Sequence, residues 1–175
     1  TSDPTPDPGQ TNTEATPAPT DAQGTEETPA APSAVRKENL VVALQAEPQT
    51  IDPYAASHDT TFISSEAIFE PLFKYEDGEL TPWLATAYEM VDDLTLKLTL
   101  RDDVLFHDGN KMTADDVVFS LCYGATSNFT STLFGAIDTE NTKALDEQTV
   151  EVKLLYPYAP LLEAMASHRC AIVSK

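Results

Sequence analysis

Residues 94–100, LTLKLTL, alternate without a break between apolar and polar side chains. Successive side chains of an extended backbone point to opposite faces, so Leu94, Leu96, Leu98 and Leu100 share one face and Thr95, Lys97 and Thr99 the other. A strand with one face buried follows. TVEVKLL at 149–155 repeats the pattern, with Val150, Val152 and Leu154 on one side, and is read as a second strand.

Other segments add both element types. LVVAL (40–44) is a short apolar run that reads as a buried strand, followed by the breaker-rich EPQTIDP. TTFISSEAIFEPLF sets Phe62, Ile63, Ala67 and Ile68 near helical spacing before Pro71, which predicts a helix over about 60–70. Asp77-Gly78 between the apolar flanks of FKYEDGEL signals a hairpin. Thr113 before Ala114, Val117, Val118, Leu121 and Cys122 predicts a capped helix to about 123. Pro160 opens a helix through about 166, and AIV near the end reads as another strand. Strands and helices mix without a regular βαβ rhythm, so the fold class is α/β of the mixed α+β kind.

The first 38 residues stand apart, with seven of the 13 prolines and no aromatic residue. Too little apolar surface is available there to offset ordering entropy, which predicts a disordered Thr/Pro/acidic linker over 1–38 and a folded body over 39–175. Either a stalk between a surface and that body, or a plain flexible tail, fits the composition, and the stalk is favoured. With 29 Asp+Glu against 10 Lys+Arg the net charge is -19. Such a surface repels phosphate backbones and anionic membranes, so nucleic acid is not an expected partner. No stretch approaches the roughly 20 apolar residues that span a bilayer.

The densest chemistry lies in LRDDVLFHDGNKMTADDVVFSL, where five aspartates accompany His107. Neighbours on an extended segment face opposite ways, so His107 and Asp108 cannot jointly clasp one ion. Asp108-Gly109-Asn110 has turn chemistry, and Asp115 and Asp116 sit in a first helical turn where negative charge suits the dipole. Architecture accounts for the whole run. The chain carries no G-x-S-x-G, H-E-x-x-H, P-loop or G-x-G-x-x-G. His168 and Cys170 could form a nucleophile pair, although a buried thiol is the commoner case. No catalytic residue, metal or cofactor is therefore expected. The polar loop YAASHDTT after the Asp52-Pro53 corner offers Ser57, His58, Asp59 and Thr60 for hydrogen bonding, or else is a solvated connection with Thr60 or Thr61 as helix N-cap.

The order LVVALQAEPQTIDPYAAS, IFEPLFKYEDGELTPWLATAYEM, LTLKLTLRDDVLFHDGNKMTADDVVFSL, KALDEQTVEVKLLYPYAPLLEAMAS and AIVSK resembles the extracellular solute-binding proteins of family 5. These are the oligopeptide-, dipeptide- and nickel-binding receptors of ABC importers. The resemblance runs from about Leu40 to Lys175 and includes F-x-D-G-x-x-x-T-A-x-D-V at 106–117. It implies a type II periplasmic-binding-protein fold of two α/β lobes, of which this chain supplies part of the N-terminal one. It also implies a binding protein and not an enzyme, with a peptide or similar small solute and a membrane permease as partners. The implied location is the periplasm, or the outer face of a Gram-positive cell through a lipid anchor outside this chain. On the same resemblance Ser57, His58, Asp59 and Thr60 contact ligand, and Phe129 is the nearest match to an aromatic that approaches it. The alternatives are metal-assisted hydrolysis through His107, Asp108 and a distant carboxylate, or a surface domain with no ligand.

Overall fold

The structure, a computed structural model, describes residues 39–175, of which Val42–Lys175 make one compact unit. The linker expected over 1–38 lies outside the described residues. The unit is built on an antiparallel sheet of four strands, β3 (Ala85–Asp92), β4 (Thr95–Leu100), β6 (Thr149–Lys153) and β5 (Lys143–Ala144), in the order β3-β4-β6-β5. Leu96 pairs with Val152 and Leu98 with Val150, which aligns the two alternating patterns on one face. Leu96, Leu98, Leu100, Val150 and Val152 are all buried there. Helix α2 (Ala114–Thr126) covers that face over β5 and β6 with Ala114, Val117 and Leu121. On the opposite face the register lines up Glu89, Lys97, Glu151 and Lys143 in a row of alternating charge. Opposite charges directly across strands support this pairing and no shifted one.

Leu94 departs from expectation. It is 40% exposed, because the chain turns there and its N–H is taken by the Asp92 carboxylate at 2.8 Å, so the strand starts at Thr95. Tyr88 and Met90 share the apolar face with Leu98 and Leu96 yet stay half exposed, since β3 is the edge strand farthest from α2.

The hairpin forms as β1 (Phe73–Glu76) and β2 (Glu79–Pro82). Asp77 at φ 53 and Gly78 at φ 85 give the two positive dihedrals that its tight turn requires. The first helix, α1, spans Asp59–Glu66 and ends earlier than the spacing predicts, with Ile63 and Ile68 left exposed. Short helices α3 (Ser131–Phe134) and α4 (Leu161–Met165) complete the unit.

Two predicted strands do not form. LVVAL pairs with no strand, and Val42 is exposed: an apolar run without a neighbour has no ladder to join. Ala171 and Ile172 are buried, but their segment is held by a helix and not by a strand. Ser120 Oγ accepts the N–H of Val173 at 3.0 Å and Asp116 Oδ1 that of Lys175 at 3.0 Å. Four helical residues rise about 6 Å and two extended residues about 6.6 Å, so side chains one turn apart on α2 can meet alternate N–H groups of an extended chain. Ile172 N–H bonds the carbonyl of Glu70 at 3.0 Å, setting the C-terminal segment beside the stretch between α1 and β1.

Asp116 does double work here. Its Oδ2 accepts both the N–H and the hydroxyl of Thr113, at 2.9 and 2.7 Å, closing the helix start as the sequence predicts. Asp116→Ala removes these acceptors from a buried site and is expected to lower stability by about 1–3 kcal/mol. Asp115→Ala, on the exposed side of the same turn, should stay within about 0.5 kcal/mol in a urea titration.

Candidate functional site

The Asp52-Pro53 corner is pinned from several sides. Asp52 Oδ1 accepts the N–H of Tyr54 at 2.9 Å, and Thr50 Oγ1 accepts the N–H of Asp52 at 3.0 Å. These are the local bonds a short acidic or hydroxyl side chain makes at a turn. Tyr54 then plunges into the unit: its side chain is buried and its hydroxyl donates to the Ala171 carbonyl at 2.6 Å. Burial pushes that phenol well above its ordinary range, so it stays a donor. From α2, Tyr123 donates to Asp52 Oδ2 at 2.7 Å and its ring meets Tyr54 edge-on at 5.1 Å. Just past the helix, Ser127 donates to the Tyr54 carbonyl at 2.5 Å.

The loop that leaves this anchored corner carries the predicted contact residues outward. Ser57, His58 and Asp59 are exposed and Thr60 is half-buried. His58 is the N-cap of α1 without a side-chain cap bond, so neither Thr60 nor Thr61 takes that place; Asp59 and Thr60 open the first turn. Thr61 is buried and faces inward. Phe129, 46% exposed, follows Ser127, whose Oγ accepts its N–H at 3.4 Å. The bond from Ser127 to Tyr54 thus ties the Phe129 segment to the same corner as Ser57, His58, Asp59 and Thr60.

A cation nearby escapes sequence reasoning. The Arg169 guanidinium lies 4.5 Å from the ring centroid of Phe62, one turn into α1, and the His168 ring packs on the same ring at 4.7 Å. His168 Nδ1 lies 3.5 Å from Glu66. Arg169 has no carboxylate partner among the described residues. In a chain with 29 acidic residues and 10 Lys+Arg, an arginine stacked on an aromatic and left unpaired is available to an anion.

The other candidates resolve into structure. Asp108 spends both oxygens on Asn110, accepting its N–H at 2.9 Å and its Nδ2 at 2.8 Å, while Gly109 adopts φ 87 in the turn. His107 is exposed on the rim of a cleft of about 570 Å³ that also includes Glu66, Glu70, Leu105 and Ile172. Asp103 forms a bidentate pair with Arg101 at 2.8 and 2.9 Å. Burial pushes the Cys170 thiol up to about 12, so it is no thiolate at neutral pH and forms no nucleophile pair with His168.

A family model, that of the bacterial extracellular solute-binding proteins, family 5 Middle, matches residues 79–175, more than half of the chain. The chain belongs to this family. It is 30% identical over 83% of its length to the "Probable D,D-dipeptide-binding periplasmic protein DdpA" of Escherichia coli (strain K12), covering 30% of that protein. It is also 30% identical over 68% of its length to the nickel-binding periplasmic protein of the same organism, covering 23% of it. Among solved structures, the periplasmic binding protein AgaA of A. tumefaciens R10, in complex with agropinic acid, aligns at TM-score 0.65. The two are 29% identical, and the alignment covers 73% of this chain and 26% of that one. The fold is that of type II periplasmic binding proteins, present here in part: the chain spans less than a third of the relatives it matches. Members of this family are binding proteins.

Proposed function

We propose that this chain supplies one wall of a solute-binding cleft, capturing a peptide or similar small solute outside the membrane for an ABC importer. The anchored corner carries the reading. Four polar side chains, Ser57, His58, Asp59 and Thr60, leave a turn fixed by three hydrogen bonds, to Tyr123 in α2, to Ser127 just past it and to the carbonyl of Ala171, with an exposed aromatic, Phe129, tied to the same point. Such an arrangement offers directional hydrogen bonds and an apolar face on a rigid support, which binding needs more than chemistry does. Arg169 adds a cation for an anionic ligand group such as a carboxylate. No catalytic step is assigned to any residue.

The ligand is handed to a membrane permease. The body works in the periplasm, or outside a cell that holds it by a lipid anchor beyond this chain, with residues 1–38 as the tether.

A single wall buries only part of a ligand, and tight pockets bury most of it. Calorimetric titration of residues 1–175 with a mixed pool of di- to pentapeptides is expected to give dissociation constants of about 1 mM or weaker. Micromolar binding by this chain alone would overturn the two-walled reading.

A further inference from the structure

The last turns of α2 touch the corner at three points. Tyr123 bonds the Asp52 carboxylate, Gly124 leaves room for the Tyr54 ring, and Ser127 bonds the Tyr54 carbonyl. None of the three residues belongs to the loop, and none is expected to contact ligand.

We infer that Tyr123 and Ser127 are positioning residues, which hold the Asp52-Pro53 corner so that the Ser57–Thr60 loop presents one geometry to a ligand. The inference deepens the reading of that loop as a ligand contact and rests on it for its functional meaning. Within the loop, the bonds Tyr54 N–H to Asp52 Oδ1 and Ala55 N–H to the Asp52 carbonyl fix only the turn itself. They leave the turn free to swing as a unit about the buried Tyr54 side chain. Tyr123 stops the swing by gripping the other carboxylate oxygen, and Ser127 by gripping the carbonyl that leaves the turn. The hydrogen bond to the Asp52 carboxylate lifts the Tyr123 phenol above its ordinary range, so the proton stays on the tyrosine and Tyr123 remains the donor. Because Ser127 also receives the N–H of Phe129, the same hydroxyl sets the loop and the exposed aromatic relative to each other.

Native-state hydrogen exchange on residues 1–175 tests this. In Tyr123→Phe, which keeps the ring contacts with Tyr54 and Phe119, the amides of Tyr54, Ala55, Thr61 and Phe62 should exchange about tenfold faster. Those of Leu96, Leu98, Val150 and Val152 should be unchanged. Ser127→Ala should act on the same four amides. Unchanged exchange at the corner in both variants, or equal acceleration in sheet and corner, would overturn the inference. Amide chemical shifts under titration with the di- to pentapeptide pool separate it from the reading it rests on. Faster corner exchange in Tyr123→Phe, with the Ser57–Thr60 shifts of the unsubstituted chain insensitive to peptide, would sink the ligand role and leave the positioning role standing.

Discussion

Leu98→Ala is expected to lower the free energy of unfolding by about 2–5 kcal/mol, a large share of the stability of a domain this size. Leu98 is 0% exposed in β4, flanked on one face by Tyr88 and Val150 across the two ladders. Its removal leaves a cavity in the buried core against a sheet tied by backbone hydrogen bonds and slow to collapse into the space. Leu94→Ala provides the control. By alternation alone the two leucines are equivalent, but Leu94 is 40% exposed in the turn and its loss should cost well under half as much. Urea denaturation of the two variants reads the difference directly. Equal losses would mean that Leu94 belongs to the buried face and that the strand begins a residue earlier.

Gly124→Ala should destabilise, against the usual direction. An exposed helical glycine changed to alanine commonly gains up to about 1 kcal/mol. Here a Cβ would lie 2.8 Å from Tyr54 Cε1 and 3.2 Å from both Tyr54 Cδ1 and Phe134 Cδ2. Neither ring can easily give way. Tyr54 is bolted by its hydroxyl to Ala171 and packed on Tyr123, and Phe134 is fully buried. The overpacking cost, about 1–3 kcal/mol, exceeds the helix gain. Any relaxation would push Tyr54, and with it the corner that carries Ser57 to Thr60. The expected signature is a lower urea midpoint together with altered near-ultraviolet tyrosine ellipticity. The penalty should shrink in a Tyr54→Ala background, where only the 3.2 Å contact with Phe134 remains; a gain in stability from Gly124→Ala alone would contradict the packing.

Where a local rule governs the outcome, the residues announce it. Alternation at 94–100 and 149–155 yields β4 and β6, Asp77-Gly78 yields the hairpin turn, and Thr113 with Asp116 yields the start of α2. Asp108 is legible as a turn former because its bonds reach only two residues. LVVAL and AIV misled because apolar content states that a segment seeks burial and not which partner will satisfy its backbone. For the second, α2 side chains took the place of a ladder. At the candidate site, Ser57, His58, Asp59 and Thr60 were visible as polar residues behind a rigid corner. The bonds that support them span 71 residues from Tyr123 to Asp52 and 73 from Ser127 to Tyr54. Arg169 meets Phe62 across a wider gap still. No periodicity encodes such pairs, and only the folded chain brings them together.

Ligand is expected to meet this wall at the corner loop. Amide chemical shifts of residues 1–175, titrated with the di- to pentapeptide pool to millimolar concentration, test it most directly. Perturbations should gather at Ser57, His58, Asp59, Thr60 and Phe129, with Arg169 beside them. Shifts confined to the cleft at Leu105 and His107, or none at the corner loop, would contradict it.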